Sequence, residues 1–246
     1  VRCIDKNRKL YFILLIILFF SGCGDSSQSQ DNNIVSGVSA ESNSTTIDDN
    51  SVITTITGKV IDGEISGATI FIDLDRDNEL DSFEPKSITD SNGSFTLVIT
   101  LTQQEHINYK NQTAPLIAFG GEDIRTSQPF EDYLMAMRED KTVINITPFS
   151  TLIAQSLFLE LDETKSQQIN KITITELKDK IANVKKELAE LFGIKETLLD
   201  KNPIDLAKAG DNALLSKSLQ LHKSARSMRK AMKREVRKLR KSILKT

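Results

Sequence analysis

Between residues 73 and 84 the chain reads Asp73-Leu74-Asp75-Arg76-Asp77-Asn78-Glu79-Leu80-Asp81-Ser82-Phe83-Glu84. Read as a twelve-residue calcium loop, it has carboxylates at positions 1, 3, 5, 9 and 12. Short acidic side chains at alternate positions can converge on one ion while the backbone curls around it. Glu79, at position 7, would supply its backbone carbonyl. Asp81 would reach the ion directly or through a water molecule, and Glu84 would bind through both oxygens. Leu80 is the apolar residue that turns inward in such a loop. Asn78 stands at position 6, where glycine is usual, and asparagine is the best non-glycine substitute for a left-handed backbone. The candidate ligands are therefore Asp73, Asp75, Asp77, Glu79, Asp81 and Glu84.

An all-oxygen donor set disfavours zinc and copper, and a bidentate glutamate favours calcium over magnesium. Extracellular sites of this kind bind at about 10⁻⁴–10⁻³ M, so the ion would be structural. The loop departs from an EF-hand: strand-like Ile70-Phe71-Ile72 precedes it, and Pro85 stands where an exiting helix would begin. A calcium loop between strands is expected, which removes the groove-opening of sensor EF-hands. The competing reading is an acidic, solvated hairpin, since aspartates cluster in loops. Five carboxylates at these offsets would repel one another without a cation, which weighs towards the ion.

The loop must be held by strands. Val52–Thr57, extended by Lys59-Val60-Ile61, is rich in β-branched residues, and Ala68–Ile72 and Ser94–Ile99 have the same texture. Asp62-Gly63 and Asn92-Gly93 supply turns, because glycine accepts a positive φ without steric cost. Pro115–Phe119, Tyr133–Met137 and Thr142–Ile146 are further strand candidates. Short strands at these intervals predict an antiparallel sandwich over residues 51–146.

At Thr147-Pro148 the pattern turns helical, with threonine as N-cap and proline at N1. Leu152, Ile153, Leu157 and Leu161 then fall near one face. A second helix is expected from Thr175, with Leu177, Ile181, Val184, Leu188 and Leu191 as its stripe and Gly193 at C′. Strands followed by helices predict an α+β chain of two abutting subdomains: the sandwich, then an α-helical region over 147–210. A third helix, basic and amphipathic, is expected over 211–246.

Two segments carry a resemblance. Gly67-Ala68-Thr69-Ile70-Phe71-Ile72-Asp73-Leu74-Asp75, then Asp81–Pro85 and Thr89-Asp90-Ser91-Asn92-Gly93-Ser94-Phe95, are similar to transthyretin-like or carboxypeptidase-regulatory-like modules of bacterial surface proteins. That resemblance implies a prealbumin-like β-sandwich serving as a stalk or spacer, without catalysis. Gly120–Ile124 and Ile146–Ala154 resemble the segment that often follows this module in large secreted adhesin-like chains. The likeness covers about residues 56–160.

At the other end, Arg2, Lys6, Arg8 and Lys9 precede an apolar run, Leu10–Phe20, followed by Ser21-Gly22-Cys23. A positive segment, a short apolar segment and small residues at a cut site make a secretory signal. The run is too short to span a bilayer, which needs about 20 apolar residues. Cys23 after the small pair resembles the lipobox of bacterial lipoproteins, although Phe20 stands where that family prefers leucine. The resemblance implies cleavage after residue 22 and acylation of Cys23, giving membrane attachment through a lipid anchor that includes palmitate-like chains. An uncleaved anchor, or an ordinary signal with an incidental cysteine, is the alternative. Residues 23–50 are dominated by Ser, Asn and Asp and read as a disordered tether. Gly24 rather than Asp after the cysteine points, by resemblance to enterobacterial lipoproteins, to outer-membrane sorting.

The net charge of −2 conceals an acidic body and a basic tail. In the tail, Leu221, Ala225, Met228, Met232, Val236, Leu239 and Ile243 form a helical stripe flanked by basic residues. Arg226, Arg229, Lys230, Lys233, Arg234, Arg237 and Lys238 are candidates for contact with an anionic surface such as phospholipid or lipopolysaccharide. Packing on the protein's own helices with a solvated basic face is the simpler role, and no nucleic acid partner is expected for an exported chain. The two histidines, His106 and His222, lie on separate elements without a nucleophile motif such as Gly-x-Ser-x-Gly, so no enzyme is expected. The sequence thus points to a noncatalytic, lipid-anchored envelope module, structural or adhesive, with a protein or glycan as its surface ligand. The rival is a periplasmic binding or assembly factor that uses the basic helix.

Overall fold

A computed structural model describes residues 51–104, 114–163 and 172–227. The fold is mixed α+β, with antiparallel sheets and helices over 148–163, 174–192, 203–208 and 213–227 among the described residues, and side-chain alternation along the strands sets its layers. Strands β1 (Ser51–Lys59) and β5 (Ser94–Thr102) pair antiparallel over their whole length, from Ser51 opposite Thr102 to Lys59 opposite Ser94. Ile56, Phe95, Leu97 and Ile99 point inward, whereas Ile53 and Val98 stand exposed on the outer face. This is the period-2 pattern of a ribbon wetted on one side.

The second sheet has four strands in the order β4-β3-β6-β9, all antiparallel: β3 (Thr69–Ile72), β4 (Lys86–Ile88), β6 (Pro115–Phe119) and β9 (Tyr133–Met137). Strands β3, β6 and β9 are buried on both faces, while the edge strand β4 is largely exposed. Ile70, Ile72, Leu116, Ala118, Leu134 and Ala136 join the core shared with the β1–β5 ribbon. Phe71, Ile117, Met135 and Met137 point the other way, into a second core shared with the helices. That is why Pro115–Phe119 and Tyr133–Met137 read as unbroken apolar runs rather than alternating ones. Short strands β2 (Ile65–Ser66), β7 (Glu122–Asp123) and β8 (Gln128–Pro129) form a small third sheet.

Residues 142–146 do not form a strand of either sheet. They make isolated parallel bridges, Thr57 with Val143 and Val60 with Ile146. Their backbone is nonetheless satisfied: Ile144 N–H donates to Thr57 O and Ile146 N–H to Lys59 O, both at 2.8 Å.

Helix α1 (Pro148–Glu163) opens as expected, with Ser150 N–H donating to the Thr147 hydroxyl at 3.0 Å. Its first turn also covers the edge of the sheet. Thr151 Oγ1 accepts from Met135 N–H at 2.9 Å and donates to Thr147 O, while Ser150 Oγ donates to Met135 O at 2.7 Å. The bare edge of β9 is thereby given side-chain partners, one way proteins block strand addition. Helix α2 (Ile174–Phe192) begins one residue before the start expected at Thr175, because Thr173 and Glu176 form a reciprocal capping box. It ends at Gly193 in the left-handed conformation, as expected. Leu177, Ile181, Val184 and Leu188 are buried; Leu191 is exposed, and Ala189 takes a place in the core.

A 3-10 turn (Glu196–Leu198) and helix α3 (Pro203–Lys208), capped by Asn202, follow. Helix α4 occupies residues 213–227, with Leu214, Ser218, Leu221 and Ala225 buried. Among the described residues no helix is long and apolar enough to cross a membrane.

Candidate metal centre

The acidic loop joins β3 to β4, which pair with Phe71 opposite Lys86. It is a long hairpin connection, with a strand after Pro85 where an EF-hand would have a helix. The sheet fixes both of its ends. Asp73 N–H donates to Pro115 O, and Ile72 N–H donates to Pro85 O, each at 3.1 Å. Two leucines pin the interior of the loop in opposite directions. Leu74 packs against the core shared with the β1–β5 ribbon and Leu80 against the core shared with the helices, so the inward turn expected of Leu80 is present.

Within this frame the backbone is wrapped around its carboxylates. Asp73 is fully buried and accepts from Arg76 N–H at 2.7 Å and Asn78 N–H at 3.2 Å. Glu84, also buried, accepts from Leu74 N–H at 2.6 Å through Oε1 and from Asp81 N–H at 3.1 Å through Oε2. Position 12 of the loop is thus tied to positions 2 and 9. Asp77 accepts from Glu79 N–H at 2.7 Å. Asn78 has φ 64°, the left-handed conformation anticipated for it, and Arg76 has φ 67°, which its residue type does not announce.

Two oxygen groups result. One oxygen each from Asp73, Asp75 and Glu84 lie within 4.8 Å of one another, and the same holds for Asp75, Asp77 and Asp81. Asp75 belongs to both, so the five carboxylates form a connected set. The Glu79 carboxylate is in neither group. Burial pushes the Asp73 carboxyl up to about 6, the charges of Glu84 and Asp77 add to the rise, and the two backbone N–H bonds oppose it. At neutral pH a buried carboxylate therefore faces other acids. A hard divalent cation, which takes six to eight oxygens, suits such a donor set.

Cys23, Arg229, Lys230, Lys233, Arg234, Arg237, Lys238 and His106 lie outside the described residues. Arg226 is described and half-buried on α4, close enough to Asp62 and His222 to bias the charge of both.

Two clusters were not anticipated. Lys185, buried on α2, places Nζ 2.9 Å from both Glu139 and Asp200, and Lys141 lies 3.0 and 2.9 Å from the same two acids. This four-charge network ties α2 to the turn after β9. In the other, His222 lies between Asp62 and Asp132. Neither has a local motif, since its members come from distant parts of the chain.

No protein-family model matches the chain, and no curated protein matches it in sequence.

Proposed function

We propose that the protein is a noncatalytic structural or adhesive module of the cell envelope, lipid-anchored through Cys23 and stiffened by calcium in the loop from Asp73 to Glu84. The observation that carries the calcium reading is the connected oxygen set of Asp73, Asp75, Asp77, Asp81 and Glu84 on a hairpin fixed at both ends. An ion there would brace the junction of the layers, because Leu74 and Leu80 anchor the loop in different cores. The two-sheet arrangement supports a sandwich of the prealbumin-like kind used as a spacer. The secretory signal and the cysteine that follows it support attachment to the outer membrane.

Two measurements test the proposal. Millimolar calcium should raise the melting temperature of the chelator-treated protein more than magnesium does. No rise would remove the ion. Mass spectrometry of the mature protein should find an acylated amino-terminal Cys23, and an intact residue 1–22 segment would remove the anchor.

A further inference from the structure

Strand β1 has an open edge over its first five residues. Val60 N–H, just past the end of β1, donates to Gly93 O on the β5 side, whereas Thr57 N–H donates to Thr142 O and Ile61 N–H to Ile146 O on the other side. Even-numbered residues therefore turn their backbone N–H and C=O groups towards β5, and odd-numbered residues turn theirs away. Residues 142–146 supply partners for Thr57, Lys59 and Ile61. Ser51, Ile53 and Thr55 have no such neighbour among the described residues.

Other sheet edges receive side-chain cover. Ser87 Oγ donates to Thr96 O on the outer side of β5 at 2.8 Å, and Thr151 and Ser150 occupy the edge of β9. The open part of β1 carries none of the usual protections of an edge. Residues 51–57 read Ser-Val-Ile-Thr-Thr-Ile-Thr, without a charge, a proline or a glycine. The outer face of the ribbon is uncharged there too. Ile53 is 56 % exposed and Val98, opposite Thr55, is 55 % exposed. Thr55, Thr96, Thr100 and Thr102 stand exposed beside them.

A charged side chain on a pairing strand would lie beside Ile53 or Thr55 without a counter-charge, so the edge suits an uncharged strand. The same five residues, turned antiparallel, supply one whose donors and acceptors match. We propose that two copies of the chain pair through β1 about a two-fold axis at Ile53, joining their ribbons into one four-stranded sheet. In this register Ile53 faces its own counterpart, and Ser51 faces Thr55 of the second copy on either side. All three pairs are of the kind that exchanges two hydrogen bonds, so the outward groups from Ser51 to Thr55 are all satisfied. A shift by two residues leaves Thr55 unpaired, or sets Ser51 against Thr57, which residues 142–146 already hold. The two Ile53 side chains then stand side by side on the outer face, with Cα atoms about 5.5 Å apart. Pairing uses up this edge in both copies, as a closed two-fold contact does. A ladder of this length runs about 17 Å. It buries less than the roughly 1,200 Å² of a stable complex, so the dimer is reversible and forms at high local concentration.

Residue-resolved hydrogen exchange of the full chain tests this at about 10 μM and about 1 mM, which bracket a dissociation constant on the order of 10⁻⁴ M. The Ile53 and Thr55 amides should exchange about threefold more slowly at the higher concentration. The Val52 and Thr54 amides, already bonded to β5, should change less. Fast exchange of Ile53 and Thr55 at both concentrations overturns the pairing. Slow exchange at both means that a segment of the same chain fills the edge, which overturns it equally. Ile53→Lys and Ile53→Glu lie on the exposed face and should keep the wild-type circular dichroism. Each should lose the concentration dependence, because like charges then face each other across the axis. An equimolar mixture of I53K and I53E should regain it. An I53K profile equal to wild type, or a mixture that does not recover, overturns the proposal.

Discussion

Glu84→Gln is the substitution that most directly separates a calcium site from an acidic hairpin. In the folded chain Glu84 accepts from Leu74 N–H at 2.6 Å and from Asp81 N–H at 3.1 Å. Glutamine keeps one acceptor and turns an NH2 towards the other donor, a loss of about 0.5–1.5 kcal/mol for one hydrogen bond. It also removes a negative charge that raises the Asp73 carboxyl, which offsets part of that loss. Without calcium the variant should therefore melt within a few degrees of wild type. With calcium the two should separate. At about 5 mM ion and a dissociation constant of 10⁻⁴–10⁻³ M, binding stabilises by about 1–2 kcal/mol. For a chain of this size that is about 2–9 °C in melting temperature. Wild type should show the rise on calcium addition in differential scanning calorimetry, and E84Q should show less than about 1 °C. Glu79→Gln is the control, because its carboxylate lies in neither oxygen group, and it should keep the full rise. An E84Q rise equal to that of wild type, or an E79Q loss equal to that of E84Q, would refute the assignment of Glu84.

Three further outcomes follow from packing and charge. Thr151→Val leaves the buried Met135 N–H without its acceptor and should cost about 1–3 kcal/mol, read as a lower urea midpoint, whereas Thr151→Ser should recover most of it. Gly58→Ala should be destabilising at or above the 1–3 kcal/mol of ordinary overpacking, because its Cβ would fall inside the contact radius of the Ile144 backbone carbonyl; circular dichroism in urea checks it. The Asp200 carboxyl is raised by burial, but hydrogen bonds and charge from Lys185 and Lys141 outweigh this and hold it below its ordinary value. A depressed folded pKa gives stability that is present above the unfolded value, about 3.9, and lost as pH falls through the folded one. Urea midpoints should therefore drop on acidification below about pH 4, and Lys185→Met should flatten that part of the profile.

Features that were legible in the sequence are those fixed by neighbours along the chain. The Thr147-Pro148 helix start, the Gly193 cap and the turn at Asp90–Gly93 rest on contacts within about five residues, and the carboxylate contacts of the loop lie within its own twelve. In that turn Asp90 accepts from Asn92 N–H and Ser94 N–H, both at 2.8 Å. Errors begin where two local signals compete. Thr175 and Thr173 both resemble N-caps, and only Glu176, three residues after Thr173, chooses between them. Val143 and Ile144 have strand-forming side chains, yet the segment makes only isolated bridges to β1. Leu191 continues a helical stripe beyond the point where a neighbouring element remains to cover it.

The layering was less legible, and for a physical reason. A strand buried on both faces has no alternation, so the sequence cannot say which side chains meet which neighbour. Sequence order predicts two abutting subdomains, but it does not announce that Phe71, Ile117, Met135 and Met137 pack the helices directly on the sheet that also faces the β1–β5 ribbon. One sheet serves both cores. A disturbance of the acidic loop, held by Leu74 in one and Leu80 in the other, should therefore reach both. The contact of His222 with Asp62 and Asp132 and the network at Lys185 lie further from what spacing can reveal. Their partners are separated by 46 or more residues in most pairs, and burial rather than any motif makes them matter. In this chain short-range chemistry identifies the candidate ion ligands, while long-range apolar packing, joined by the Lys185 charge network, holds the helices against the strands.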